Sequence, residues 1–314
     1  MKFTKAQSCK GVALITVLLV LAVSTVLAVT MAVQQQVSIH RTENILHANQ
    51  VWQYSLGLEK WAIAVLEQDL KSNKTDSLLD NWNKGIPETD VPNGKIQAAI
   101  VDLQGLFNLN NLIINGKVSE VDLQRFKRLL EVQGLDQNIS NAVLDWIDED
   151  SDSRFPGGAE DVVYMDKPQP YRAANGFFTD KSELMLVNGI DALSYQKLAP
   201  HVVALPEYTP LNVNTATEMN LRLLLDDMSS ARASILIAER QQDVIENLTE
   251  WLKHDVFAGS EITKSGLGTS SDYFLVEGAV QIGNRRIRHK SKVVRPAGKQ
   301  AMVIQRMQKG LFDG

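Results

Sequence analysis

The sequence predicts an α+β fold: one long N-terminal helix, a small antiparallel sheet, and a large, mainly helical domain inserted between the strands. Three observations carry this reading. An apolar run near the N-terminus continues into a helical pattern that ends near residue 70. Strand-like alternation at residues 95–103 returns only at residues 273–307. The stretch between them is rich in helical periodicity. At 314 residues the chain is long enough for two compact units plus extensions. Its formal net charge is −5, with 44% hydrophobic and 22% charged residues. That balance excludes a polytopic membrane protein, because only one span is present, and it excludes a disordered or low-complexity chain.

The N-terminus reads as a targeting device. Residues 1–11 carry three lysines and no acid. Residues 12–33 are 22 residues without a charge, and only Thr16, Ser24, Thr25 and Thr30 are polar. As a helix this run crosses the ~30 Å of hydrocarbon in a bilayer. The lysines predict a cytoplasmic N-terminus with the rest of the chain outside. Three fates are open: cleavage near Thr30-Met31-Ala32, an uncut anchor, or cleavage between Gly11 and Val12, ahead of the apolar run. A short basic leader ending in Gly11 resembles the class III leader of type IV pilins and pseudopilins. The helical pattern continues through Ile45, Leu46, Trp52, Leu58, Trp61, Val65, Leu66 and Leu70, with no proline in residues 1–86. A helix half in lipid and half in water favours the third fate. His40 and His47 share a face of it, a pair read as two solvated polar residues rather than a metal site.

Beyond the stem, Ile96, Ala98 and Ile100 alternate between Asn93-Gly94 and Gly105, predicting a strand at 95–103. Residues 273–282 and 286–294 flank Gly283-Asn284, a strong hairpin signal. Residues 301–307 make a third candidate strand. Helices are predicted at 118–134, 140–147, 182–187, 193–198, 217–228, 231–238 and 243–252. A weak repeat relates Phe107-Asn108-Leu109-Asn110-Asn111-Leu112 to Leu211-Asn212-Val213-Asn214-Thr215-Ala216. Each copy precedes a helix pair ending in a tryptophan, Trp146 or Trp251. This predicts a duplicated module packing on itself, with Asn and Thr capping helix starts.

The second copy, through Arg240, and Ser182-Glu183-Leu184 with Val187-Asn188-Gly189-Ile190 resemble helix-hairpin-helix modules of DNA-uptake proteins. Such modules hold a phosphate on hairpin N–H groups, which calls for glycine. Here the second hairpin reads Leu225-Asp226-Asp227-Met228-Ser229-Ser230, and Asp191 follows Gly189. Carboxylates where a phosphate would sit, in an acidic region, argue against nucleic acid. Enzyme motifs are absent: no H-E-x-x-H, no phosphate loop, no G-x-S-x-G.

Residues 145–161 pack seven carboxylates into 17 residues. Asp148, Asp150 and Asp152 have the one-three-five spacing of a calcium loop, and hard oxygen ligands suit Ca²⁺. Ser153 and Ala159 break the EF-hand pattern. The alternative is a solvated acidic turn neutralised by Arg154 and Arg172.

Taken together, Gly11-Val12-Ala13-Leu14-Ile15-Thr16, Phe107-Asn108-Leu109-Asn110, Asp145-Trp146-Ile147-Asp148, Gly157-Gly158-Ala159-Glu160-Asp161, Pro170-Tyr171-Arg172-Ala173-Ala174-Asn175 and Pro210-Leu211-Asn212-Val213-Asn214 resemble the K-type minor pseudopilins of the bacterial type II secretion system. The resemblance spans nearly the whole chain, and its central block is the most specific part. It implies a pilin-like helix and sheet bearing the helical insertion. It implies cleavage by prepilin peptidase after Gly11 and methylation of Val12. Location is then the Gram-negative inner membrane, single pass, with the body in the periplasm. The implied partners are the I- and J-type minor pseudopilins and other pseudopilins, in a tip complex that initiates or caps the pseudopilus for export of folded proteins across the outer membrane. It also implies bound calcium, carried onto Asp148, Asp150, Asp152, Glu160 and Asp161. A membrane-anchored periplasmic DNA-binding protein is the alternative.

Most pilins and pseudopilins carry Glu at mature position five. Counted from Val12, that position is Thr16, which is cheap in lipid where a carboxylate costs a few kcal/mol. A tip subunit has no neighbour ahead whose amine such an acid would meet. The expected organisation is a leader at 1–11, a stem at 12–70, a first part of the sheet domain at 71–104, the insertion at 105–266, and the second part of the sheet domain at 267–314. Cleavage after Gly11 would remove Cys9, the sole cysteine, and leave 29 basic against 37 acidic residues, a net of −8.

Overall fold

The computed structural model describes residues 10–260 and 262–312, so most of the expected leader lies outside the described residues. Helix α1 runs Lys10–Ser72 without a break, 63 residues in all, or roughly 95 Å at the α-helical rise. Its N-terminal part is long and apolar enough to cross a membrane and is not buried by the rest of the chain. Its C-terminal third lies along a sheet that begins with β1 (Ile86–Val91) and β2 (Gly94–Asp102). Next come short strands: β3 (Phe107–Asn108), β4 (Ile113–Ile114), β5 (Lys117–Val118), β6 (Val202–Val203), β7 (Leu211–Asn212) and β8 (Leu267–Gly268). Strands β9 (Tyr273–Ile282), β10 (Arg285–Val294) and β11 (Met302–Phe312) complete the sheet. Its order is β1-β2-β9-β10-β11, antiparallel throughout. The Gly283-Asn284 hairpin forms as expected between β9 and β10.

The helices lie between the two halves of the sheet: α2 (Glu120–Val132), α3 (Ile139–Ile147), α4 (Asp161–Met165), α5 (Ala192–Leu198), α6 (Glu218–Arg222), α7 (Ser230–Arg240) and α8 (Leu248–Trp251). Several expectations need correction. Strand β1 was not anticipated. It carries Pro87, Glu88 and Asp90 on a sheet edge, where a missing N–H is tolerated and little is buried. The helix expected at 217–228 stops at Arg222. Leu221 and Leu224 pack in one core and Leu223 in the other, so this segment lies between the two modules. The helix expected at 243–252 shrinks to α8, because Asn214 holds both the N–H and the carbonyl of Ile245 outside a helix. Residues Lys181–Leu186 form a 3-10 turn.

The repeat is real but does different work from capping alone. Asn108 and Asn212 each accept a bond from the N–H two residues on. Asn110 and Asn214 each close a two-bond ring with a distant backbone, at Phe178 and Ile245. Buried amides satisfied on both sides pin these loops by direction, in addition to their apolar packing. The two modules hold separate apolar cores, one around Phe126, Trp146 and Tyr164, the other around Leu221, Leu236 and Phe257.

Stem and sheet meet in two apolar patches. Val51 and Leu58 pack on Val280 and Ile282, and Ala62 and Leu66 pack with Trp82, Phe274 and Val276. A polar band crosses between them. Glu59 accepts bonds from Ser291 at 2.5 Å and from Arg306 at 2.9 and 3.0 Å. Buried His289 fits only because Gly278 opposes it: a Cβ there would stand 2.0 Å from the ring.

Where the insertion leaves the sheet, a buried polar junction gathers five stretches of chain. Arg295 donates to Asp69, to Asp76 and to the carbonyls of Leu66 and Ser271. Asp102 accepts from Asn212, Thr215 and Ser271. Burial pushes the Asp102 carboxyl up to about 6 against the pull of those donors. Burial first, then Asp80 and Asp76, raise Asp69 from 3.8 to about 6. The stabilisation that Asp69 contributes is complete below 3.8 and is lost as pH rises through about 6. Asp69→Asn should therefore gain stability relative to the parent across that window. Chemical denaturation at both ends checks this, and a pH-independent difference would refute it.

Candidate functional site

The acidic loop runs from the end of α3 to the start of α4. Asp145, the last-turn acid of α3, is fully buried and acts as its organiser. It accepts from the N–H groups of Arg154 and Ala159 at 3.1 and 2.8 Å and from the Arg154 guanidinium at 2.7 Å. The chain passes so close that a Cβ on Gly158 would stand 2.3 Å from the Asp145 carboxylate and from the Arg154 carbonyl. Gly157-Gly158 thus turns the loop back on itself and brings residue 160 to the C-terminal end of α3.

This fold-back joins three of the five expected ligands. Carboxylate oxygens of Asp148, Asp150 and Glu160 lie within 4.8 Å of one another. Asp148 ends α3, and Glu160 sits at the N-cap position of α4 without capping it. Asp148 Oδ1 and both Glu160 oxygens are buried and have no hydrogen-bond partner. Arg154 reaches Asp148 but neither of the other two. Burial first, then repulsion from Asp145, Asp148, Asp150 and Asp161, pushes Glu160 up to about 7. Burial likewise raises Asp148, opposed by Arg154. Two buried acids with orphaned oxygens beside a third are costly unless a cation joins them. An all-oxygen donor set of this kind suits a hard divalent ion such as Ca²⁺.

The other two expected ligands stand apart. Asp152 is exposed, and its N–H bonds Asp150. Asp161 turns to the Ala173 N–H at 2.9 Å and to Arg172 at 3.8 Å. The solvated-turn reading is thus met in part, since Arg154 and Arg172 do serve as counterions. Sequence reasoning passed over Asn175, whose Nδ2 holds the Asp150 carbonyl while its Oδ1 is buried and unpartnered. Only its place in the Pro170–Asn175 block signalled it.

The remaining sites are quickly placed. Gly11, Val12 and Thr16 lie in α1, and Thr16 satisfies its hydroxyl on the Ala13 carbonyl at 2.9 Å. His40 approaches Glu43, whereas His47 packs beside Gly283, so the two histidines do not share a ligand. In the hairpin 225–230, Asp226 pairs with Arg128 and Asp227 with Arg232. Asp191 caps α5. These acids are built into the hairpins, which leaves the DNA-binding alternative without support.

Two adjoining family models, both described as type II secretion system protein K, match residues 105–207 and 211–270. The chain is 35% identical over 287 residues to the type II secretion system protein K of Pseudomonas aeruginosa, covering 88% of this chain and 86% of that protein. The chain belongs to the type II secretion system protein K family. The Aeromonas hydrophila protein K is 31% identical across 96% of this chain and 99% of its own length. A chain in the crystal structure of the GspK-GspI-GspJ complex from enterotoxigenic Escherichia coli superposes with a TM-score of 0.75 at 26% identity. That match covers 86% of this chain and 99% of the other. Protein K is a minor pseudopilin, and the long helix, antiparallel sheet and helical domain here are that protein's architecture. Gly158→Ala should cost on the order of 1–3 kcal/mol by overpacking the loop. A melting temperature equal to the parent's would show that the close approach does not exist.

Proposed function

We propose that this protein is the tip subunit of the type II secretion pseudopilus, bound there to I- and J-type minor pseudopilins. The observation that carries this is the size and position of the insertion. It sits at the far end of a continuous α1, where its bulk could cap a helical shaft but not stack within one. Assembly with those two partners follows the solved complex of the related chain. Thr16 in place of the usual acid fits a subunit with no neighbour ahead of it. Prepilin peptidase cuts after Gly11, and the new Val12 amine is methylated. Residues 12–33 hold the chain in the inner membrane, with the body in the periplasm. The role is assembly rather than catalysis.

Asp148, Asp150 and Glu160 would hold a calcium ion, with Asn175 Oδ1 as a further oxygen. Bound calcium supplies a cross-link between the end of α3 and the start of α4. Asp148→Ala with Asp150→Ala should lower the melting temperature only in calcium-containing buffer. Equal loss in chelator would return the loop to a solvated turn. Mass spectrometry of the mature protein should find a chain beginning at Val12, and Gly11→Val should abolish that product. A chain starting near Val33 would overturn the pseudopilin leader.

A further inference from the structure

The face of the sheet turned away from α1 has a charge of its own. Successive rows across β2, β9 and β10 read Lys95, Gln281, Arg286; then Gln97, Ala279, Arg288; then Ala99, Glu277, Lys290; then Val101, Leu275, Lys292. Strand β10 thus presents four cations at alternate positions over roughly 20 Å. The small side chains of Ala99 and Ala279 leave a groove of about 430 Å³, walled by Pro87 and Glu88 of β1 and by Arg288 and Lys290. The insertion closes one end, where Lys292 meets Asp180 and the Ala204 carbonyl.

Three of the five cations are answered within the chain: Lys95 by Glu88, Lys290 by Glu277 and Lys292 by Asp180. Arg288 makes no ion pair among the described residues, and Arg286 makes no close one, acting on Glu88 only at longer range. They are two residues apart on one strand, so their guanidinium groups follow the roughly 7 Å repeat of extended chain. We propose that this groove receives an acidic segment of a neighbouring pseudopilin, with carboxylates at alternate positions to meet Arg286 and Arg288. The chain is acidic overall, at −5, so a cationic strip on it selects a partner and its orientation rather than adding general adhesion. Bidentate guanidinium–carboxylate pairing gives the geometry, and the alanine floor admits a backbone. Glu88 and Glu277 also line the groove, but they pair with Lys95 and Lys290. The groove opens on the sheet face turned away from α1, so the stem does not cover it and a neighbour's segment can reach it; the proposal rests on the tip reading.

The test uses the full chain in cells that carry the secretion system. A photo-crosslinking residue at Gln97 probes the groove, and one at Leu46 probes the exposed stem. The expected result is an adduct from both positions to a pseudopilin, with Asp or Glu flanking the Gln97-linked site. Arg286→Glu with Arg288→Glu should lower the Gln97 adduct about tenfold while leaving the Leu46 adduct and the melting temperature unchanged, and Arg286→Lys with Arg288→Lys should keep most of it. An adduct from Leu46 but none from Gln97 overturns the groove and leaves the tip reading intact. No adduct from either position overturns both. A Gln97 adduct to nucleic acid, or to a segment lacking acids, also overturns the groove.

Discussion

Arg295 is the constraint on which the two parts of this molecule depend. Its guanidinium is buried, stacks 4.8 Å from the Phe274 ring, and ties α1 through Asp69 and the Leu66 carbonyl to the segment before β1 through Asp76. The same Asp76 accepts the Ser271 N–H, and its carbonyl accepts Asn212. Asn212 then reaches Asp102, the last residue of β2. A strand that ends, an insertion that begins its second module, and a strand that resumes are therefore fastened at one point. Losing one partner would leave buried charges unmatched, which costs far more than a surface pair. This is how a sheet interrupted for over a hundred residues still closes with β2 beside β9.

What the sequence made legible was local and periodic. The uncharged run at 12–33 and the spacing of Leu58, Val65 and Leu66 foretold a single rod. Gly283-Asn284 foretold its hairpin, and the split strands foretold the insertion. What it hid was set by distant partners. Strand β1 lacks the alternation of a half-buried strand because it is an exposed edge. The segment 217–228 reads as one apolar helix, but α6 ends at Arg222, with leucines beyond it entering both cores. In the acidic loop, one-three-five spacing favoured Asp152, but spacing along the chain is not proximity in space. The fold-back enforced by Asp145 and Gly158 brings Glu160 in and leaves Asp152 out.

The same economy recurs in the two modules. Each uses buried asparagines alongside apolar side chains such as Phe178 and Ile245 to hold its long loops, so each loop is fixed by directional bonds as well as packing. That arrangement fixes the backbone at Phe178 and Ile245 and leaves Asp150 and Asp152 free to carry charge on the surface. Resemblance to helix-hairpin-helix modules is then a resemblance of scaffold: the helices are kept while the hairpin glycines give way to acids paired with Arg128 and Arg232.

The polar band between stem and sheet has a mechanical meaning. Apolar packing fixes the rod in its cradle by shape, and the polar bonds add a direction to that fit. With Glu59 keyed to Ser291 and Arg306, a slip along the axis strands a carboxylate against the apolar patch on either side. The bond works as a shear key. Together with the Arg295 tie to Asp69 and the Leu66 carbonyl, it sets the register of α1 on the sheet at two levels along the rod.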